Sequence, residues 1–148
     1  MMTRFDHLGL VVRDIEKQKK FYSGILGLEI LDEKEVLAPP TGDHTNIPGG
    51  RRKLVFLGDA NGEELLELVQ YIDPPSPLGQ PLSPHQTNSI HLCFIMANLQ
   101  NRYRELSNQG VQFLTPPIVI HRPEGASICL CYVRDPEGNW LEFKEVLG

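Results

Sequence analysis

Residues 89–94 read Ser89-Ile90-His91-Leu92-Cys93-Phe94, and they open a second half of the chain that repeats the first. The run His91-Leu92-Cys93-Phe94-Ile95-Met96-Ala97-Asn98-Leu99 lies against His7-Leu8-Gly9-Leu10-Val11-Val12-Arg13-Asp14-Ile15. Each copy starts on a histidine, passes through a strand-like apolar stretch, and reaches Asp or Asn just before an apolar residue. His7 and His91 stand 84 positions apart, as do Asp14 and Asn98. Each copy also closes on a strand with one acid, Glu67 in Leu65-Leu66-Glu67-Leu68-Val69 and Glu142 in Trp140-Leu141-Glu142-Phe143-Lys144. The acids stand 75 positions apart, and an insertion in the first copy over residues 38–50 accounts for the shorter offset. A repeat of this length is a duplicated supersecondary unit.

Residues 5–12 alternate with apolar side chains on both faces, which predicts a strand covered on both sides. Asp14 is the expected N-cap of a helix over 15–25, stopped by Gly24 and Gly27. Strands are expected at 28–33, 53–57 and 64–70, with a Pro- and Gly-rich loop over 38–51 and a turn at Asp59-Ala60-Asn61-Gly62. The second copy predicts a strand at 89–96, an Asn98 cap, a helix with Leu99, Tyr103 and Leu106 on one face, and a strand at 111–115. An irregular loop over 116–126 then precedes strands at 127–133 and 140–146, joined by Asp135-Pro136-Glu137-Gly138-Asn139. The expected fold is α+β: two tandem βαβββ modules forming one curved mixed sheet, an open barrel, with the helices on its convex face. Residues 1–148 are read as a single domain, with module 1 about 1–72, a proline-rich connector 73–86 and module 2 about 87–148.

The net charge of −5 supplies no basic stripe, which argues against nucleic acid and against an anionic membrane surface. No apolar run approaches a bilayer span, and Arg4 and Asp6 interrupt the N-terminus, so a cytoplasmic location is expected. Cys93, Cys129 and Cys131 all fall in strand-like runs and are read as reduced.

Facing selects the residues that could carry chemistry. Leucines and Val12 oppose His7, Leu66 and Leu68 oppose Glu67, Leu92 and Phe94 oppose His91, and Leu141 and Phe143 oppose Glu142. All four polar side chains therefore project away from the apolar face. Singly, each is an ordinary strand residue; recurring in pairs, two imidazoles and two carboxylates form a mixed nitrogen and oxygen set suited to a divalent first-row metal. Glu63 and Glu64 compete for the first acid position, but they lie nearer the turn, so Glu67 is preferred. His44, His85 and His121 are read as surface loop residues.

The chain resembles the vicinal oxygen chelate superfamily, the group of glyoxalase I, methylmalonyl-CoA epimerase, extradiol dioxygenases and bleomycin-resistance proteins, over nearly its whole length. The matching words are Asp6-His7-Leu8-Gly9-Leu10-Val11-Val12, Phe21-Tyr22, Leu26-Gly27-Leu28 and Asp135-Pro136-Glu137-Gly138-Asn139-Trp140-Leu141-Glu142. The resemblance implies one divalent ion, drawn from nickel, cobalt, zinc, manganese or iron, held by His7, Glu67, His91 and Glu142. It also implies a small-molecule substrate, and homodimers are frequent among such proteins. The connector running from Glu67 to Gly79 is most similar to the epimerase branch, whereas the final Asp-Pro-x-Gly turn is more similar to glyoxalases and resistance proteins.

A cation bound to two adjacent substrate oxygens acidifies the neighbouring C–H. The leading reading is thus a metal-dependent proton-transfer enzyme, a glyoxalase I-like lyase or epimerase-like isomerase acting through an enediolate or enolate, with Glu142 and Glu67 removing and returning the proton. Arg51, Arg52 and Arg122 are candidates to hold an anionic tail of a hydroxycarbonyl or acyl-thioester substrate. The alternatives are an extradiol-type dioxygenase, against which the second glutamate counts, and a drug-binding resistance-type protein, against which four intact ligands count.

Overall fold

The computed structural model describes residues Met1–Gly148 and divides into two compact units, Met1–Gly79 and Gln80–Gly148. Both realise the expected βαβββ plan, and each keeps an open mixed sheet of its own.

In unit 1 the order is β1 (Leu8–Val11), α1 (Ile15–Lys19) continued by a π-helical stretch Lys20–Ile25, β2 (Glu29–Leu37), β3 (Arg51–Gly58) and β4 (Glu64–Asp73). Asp14 caps α1 as expected, its carboxylate accepting from Lys17 N at 3.0 Å. The helix then widens: Leu26 N donates to Phe21 O, five residues back. The consecutive rings Phe21 and Tyr22 are both buried there, edge to face at 5.2 Å. Gly27, at φ 85, ends the helix in the left-handed region where glycine is favoured. The sheet runs β1-β4-β3-β2, with β1 parallel to β4 and the other pairs antiparallel. Its core is Leu10, Val12, Ile15, Leu54, Val55, Leu57, Leu66 and Leu68.

In unit 2 the order is β5 (His91–Ile95), α2 (Leu99–Asn108), β6 (Gln112–Phe113), β7 (Ile118–Ile120), β8 (Ser127–Arg134) and β9 (Trp140–Leu147). β5 lies parallel to β9, β9 antiparallel to β8, and β8 takes β6 and β7 along its other edge. β7 falls inside the stretch expected to be irregular. Pro116-Pro117 breaks one edge strand into two short pieces, because proline cannot donate to the ladder.

Asn98 precedes α2 as expected but does not cap it: it sits at φ 55 with no side-chain cap bond. Glu145 of β9 does the work, accepting from Asn98 N at 2.8 Å and Leu99 N at 3.0 Å. Gln70 of β4 does the same in unit 1, accepting from Ile15 N at 3.0 Å. Gln70 and Glu145 are 75 positions apart, the offset that relates Glu67 to Glu142.

Candidate metal centre

The repeat carries through to strand register. In unit 1 Gly9 lies opposite Glu67, and in unit 2 Cys93 lies opposite Glu142, so each histidine sits two residues before the position that faces the acid. Because strand side chains alternate, histidine and acid share a face in both units. The opposite face is the leucine-rich one: Leu66, Leu68, Leu141 and Phe143 are fully buried, whereas Glu67 and Glu142 keep partial access to solvent.

The contacts follow from that placement. His7 Nε2 lies 3.5 Å from Glu67 Oε2, and His91 Nε2 lies 3.0 Å from Glu142 Oε2. In unit 1 the other ring nitrogen is occupied as well: His7 Nδ1 pairs with Asp6 Oδ2 at 2.9 Å and with Glu64 Oε1 at 3.2 Å, and Asp6 is held in turn by Arg4 at 2.9 Å. A carboxylate on the far nitrogen fixes ring orientation and raises ligand basicity. The hydrogen bond that His7 donates to Asp6, with the charges of Glu64 and Glu67, raises the His7 pKa against the opposing effect of burial. Asp6 is correspondingly lowered by His7 and Arg4. Glu64, the competitor of Glu67, thus lies on the opposite ring nitrogen. A hollow lined by Arg4, Phe5, Asp6, Asn61, Gly62, Glu63 and Glu64 adjoins this side of the ring.

In unit 2 a tyrosine occupies the neighbourhood. Tyr132 of β8 is in register with Glu142, and its ring meets His91 edge to face at 5.1 Å. Burial, with the charges of Glu142 and Cys93, raises the Tyr132 pKa.

The donor chemistry of each pair suits a divalent ion. Nitrogen and oxygen ligands bonded at right angles to one cation stand about 3 Å apart, given bonds of roughly 2.1 Å. Neither unit alone gathers three or more His, Cys, Asp or Glu side chains into a set that would hold an ion; unit 1 sets His7 beside Glu67 on one ring nitrogen and Asp6 and Glu64 on the other, and unit 2 sets His91 beside Glu142.

The arginines separate. Arg52 is buried on the inner side of β3, its guanidinium paired with Asp43 at 2.8 Å, so its charge is committed to the loop before it. Arg51 is half exposed, 3.5 Å from Glu35, and Arg122 is exposed. His44, His85 and His121 are all exposed loop residues, as expected. Sequence reasoning passed over Asp6 and Tyr132 as site residues. Adjacency to His7 could have found the first, and the alternation of β8 across its turn from Glu142 the second.

The sequence profile of the Glyoxalase/Bleomycin resistance protein/Dioxygenase superfamily matches residues 4–143. The chain belongs to this superfamily. Among its relatives is protein YwbC of Bacillus subtilis, 28% identical over 144 residues that span 97% of this chain and 98% of that one. A glyoxalase family protein from Bacillus cereus superposes with a TM-score of 0.85 at 19% identity, covering 100% of this chain and 97% of that one. The trypanothione-dependent glyoxalase I of Leishmania major superposes with a TM-score of 0.63 at 20% identity, covering 96% and 86%. At those identities the two structures speak for the fold. Superfamily membership bears out the resemblance drawn from the His-Leu-Gly and Asp-Pro-x-Gly words. No helix is long and apolar enough to cross a membrane.

Proposed function

We propose that this superfamily member is a divalent-metal-dependent proton-transfer enzyme, a glyoxalase I-like lyase or an epimerase-like isomerase of small hydroxycarbonyl or acyl-thioester substrates. The observation that carries the reading is the repeated contact of one imidazole with one carboxylate, at 3.5 Å in unit 1 and 3.0 Å in unit 2, at equivalent places in the duplicated strands. His7, Glu67, His91 and Glu142 together are the proposed ligands of one ion. When bound there, a divalent ion would supply Lewis acidity to stabilise negative charge developing on substrate oxygen.

The chain's own groups do the rest. Asp6 holds His7 with Nε2 directed toward Glu67. Glu67 and Glu142 are acceptors near the developing charge, and a carboxylate so placed can take a proton from carbon and return it. Arg51 and Arg122, which lie in or beside the irregular segments, are the cations left to meet an anionic tail. The three cysteines are free, in keeping with a reducing compartment such as the cytoplasm.

Solvent deuterium incorporation tests the reading. The metal-stripped protein is reloaded separately with nickel, cobalt, zinc, manganese or iron(II) and offered hemithioacetals and acyl thioesters. Exchange at the carbon next to the carbonyl with at least one metal, lost on chelation and in Glu142→Gln, is expected. Oxygen uptake with a catechol, or metal-independent capture of an aromatic drug without exchange, would overturn the proposal.

A further inference from the structure

The two histidines are held in different ways. His7 follows Asp6, whose carboxylate fixes Nδ1 at 2.9 Å. The residue before His91, at the repeat-equivalent position, is Ile90, which has no hydrogen-bonding side chain. What meets the His91 ring instead is Tyr132, edge to face at 5.1 Å with the planes 86° apart. Tyr132 packs in turn against Trp140, at 6.1 Å and 81°. Trp140 is pinned on two sides: its Nε1 donates to Leu82 O at 2.7 Å, and the Arg134 guanidinium lies over its ring at 4.0 Å. Arg134 is itself tied to Gly138 O at 2.8 Å and to Leu82 O at 3.5 Å. Gly138 admits the connector closely, since a Cβ there would stand 2.8 Å from Pro81.

We propose that Tyr132 is a positioning residue, which, backed by Trp140 and Leu82, sets the plane of the His91 ring as Asp6 sets that of His7. Edge-to-face packing fixes a ring without supplying charge, because its attraction depends on the angle between the two rings. The same proline-rich connector that joins the units thereby braces the second histidine. The consequence for metal binding rests on the function proposed above, whereas the consequence for ring order stands without it.

Two readouts test this on the full chain. One is the affinity for cobalt(II); the other is the set of His91 ring resonances in long-range proton–nitrogen spectra of the metal-free protein. Tyr132→Phe keeps the ring and is expected to leave both unchanged. Tyr132→Leu keeps apolar bulk but removes the ring, so His91 resonances should broaden or shift, with cobalt affinity falling on the order of 10-fold. Asp6→Asn should weaken cobalt while leaving the His91 resonances in place. Trp140→Phe removes the bond to Leu82 and should disturb His91 in the same sense as Tyr132→Leu, which keeps the test open if the leucine variant does not fold. A folded Tyr132→Leu protein with wild-type His91 resonances overturns the proposal. If wild-type protein takes up no cobalt, the metal reading fails, and the metal-free spectra alone decide the role of Tyr132.

Discussion

Arg52 carries its charge into the interior of unit 1 with only 6% of its side chain exposed. The counter-charge is Asp43, which also accepts from the Thr45 hydroxyl at 2.6 Å and the Thr45 backbone N–H at 2.9 Å. Those Thr45 bonds, followed by Arg52, hold the Asp43 carboxyl far below the ordinary carboxylate range. A depressed pKa in the folded state means stability that is fully present above the unfolded value, about 3.9, and lost only as pH falls through the lower folded value. The loop 38–50 should therefore resist protease at pH values where ordinary carboxylates are already protonated, and open only in stronger acid. Asp43→Asn leaves Arg52 buried without its partner, which is costly, and should open the loop at neutral pH and lower Tm. Equal digestion of the two proteins across the pH range would contradict this. The sequence marked residues 38–51 as irregular; the loop runs over 38–50, and Arg51 opens β3. That reading could not show which arginine of the pair Arg51-Arg52 faces inward. That depends on the register of β3 against β2 and β4, which one strand's composition does not determine.

At the scale of elements, each helix is capped by the strand beside it as much as by its own N-terminal residue. Glu145 supplies both oxygens to the first N–H groups of α2, where a negative charge also meets the positive end of the helix dipole. Glu145→Ala should destabilise the protein by about 1 kcal/mol, in line with loss of an N-cap, and raise amide exchange in the first turn of α2. Glu145→Gln, which keeps one acceptor and is the residue type found at Gln70, should lose less. Unchanged exchange in Glu145→Ala would show that the cap is dispensable. Asn98 illustrates the limit of reading caps from residue type: asparagine suits a cap, but it also tolerates the left-handed conformation, and the structure uses the second property. β7 illustrates another limit. Ile118-Val119-Ile120 is β-branched throughout, yet three residues after a double proline are too few for periodicity to separate strand from loop.

Over the whole molecule, duplication is the feature most legible in the sequence and the one that most strongly shapes the structure. The 84-residue and 75-residue offsets read from short words reappear as equivalent parallel registers, Gly9 opposite Glu67 and Cys93 opposite Glu142. Alternation then placed His7, Glu67, His91 and Glu142 on the faces away from the leucines. The sequence left hidden how each imidazole is steadied. Asp6 and Tyr132 act through side-chain directions that depend on neighbouring strands, and the two copies have diverged at that point.

Both His–Glu pairs are proposed to serve the same ion. Equilibrium dialysis of the metal-stripped chain against cobalt(II) tests this directly, using His7→Ala, Glu67→Ala, His91→Ala and Glu142→Ala alongside the wild type. One ion per chain is expected, with a loss of affinity of about 10-fold or more from a substitution in either pair. Two independent ions per chain, or binding that survives removal of His91 and Glu142 unchanged, would contradict it.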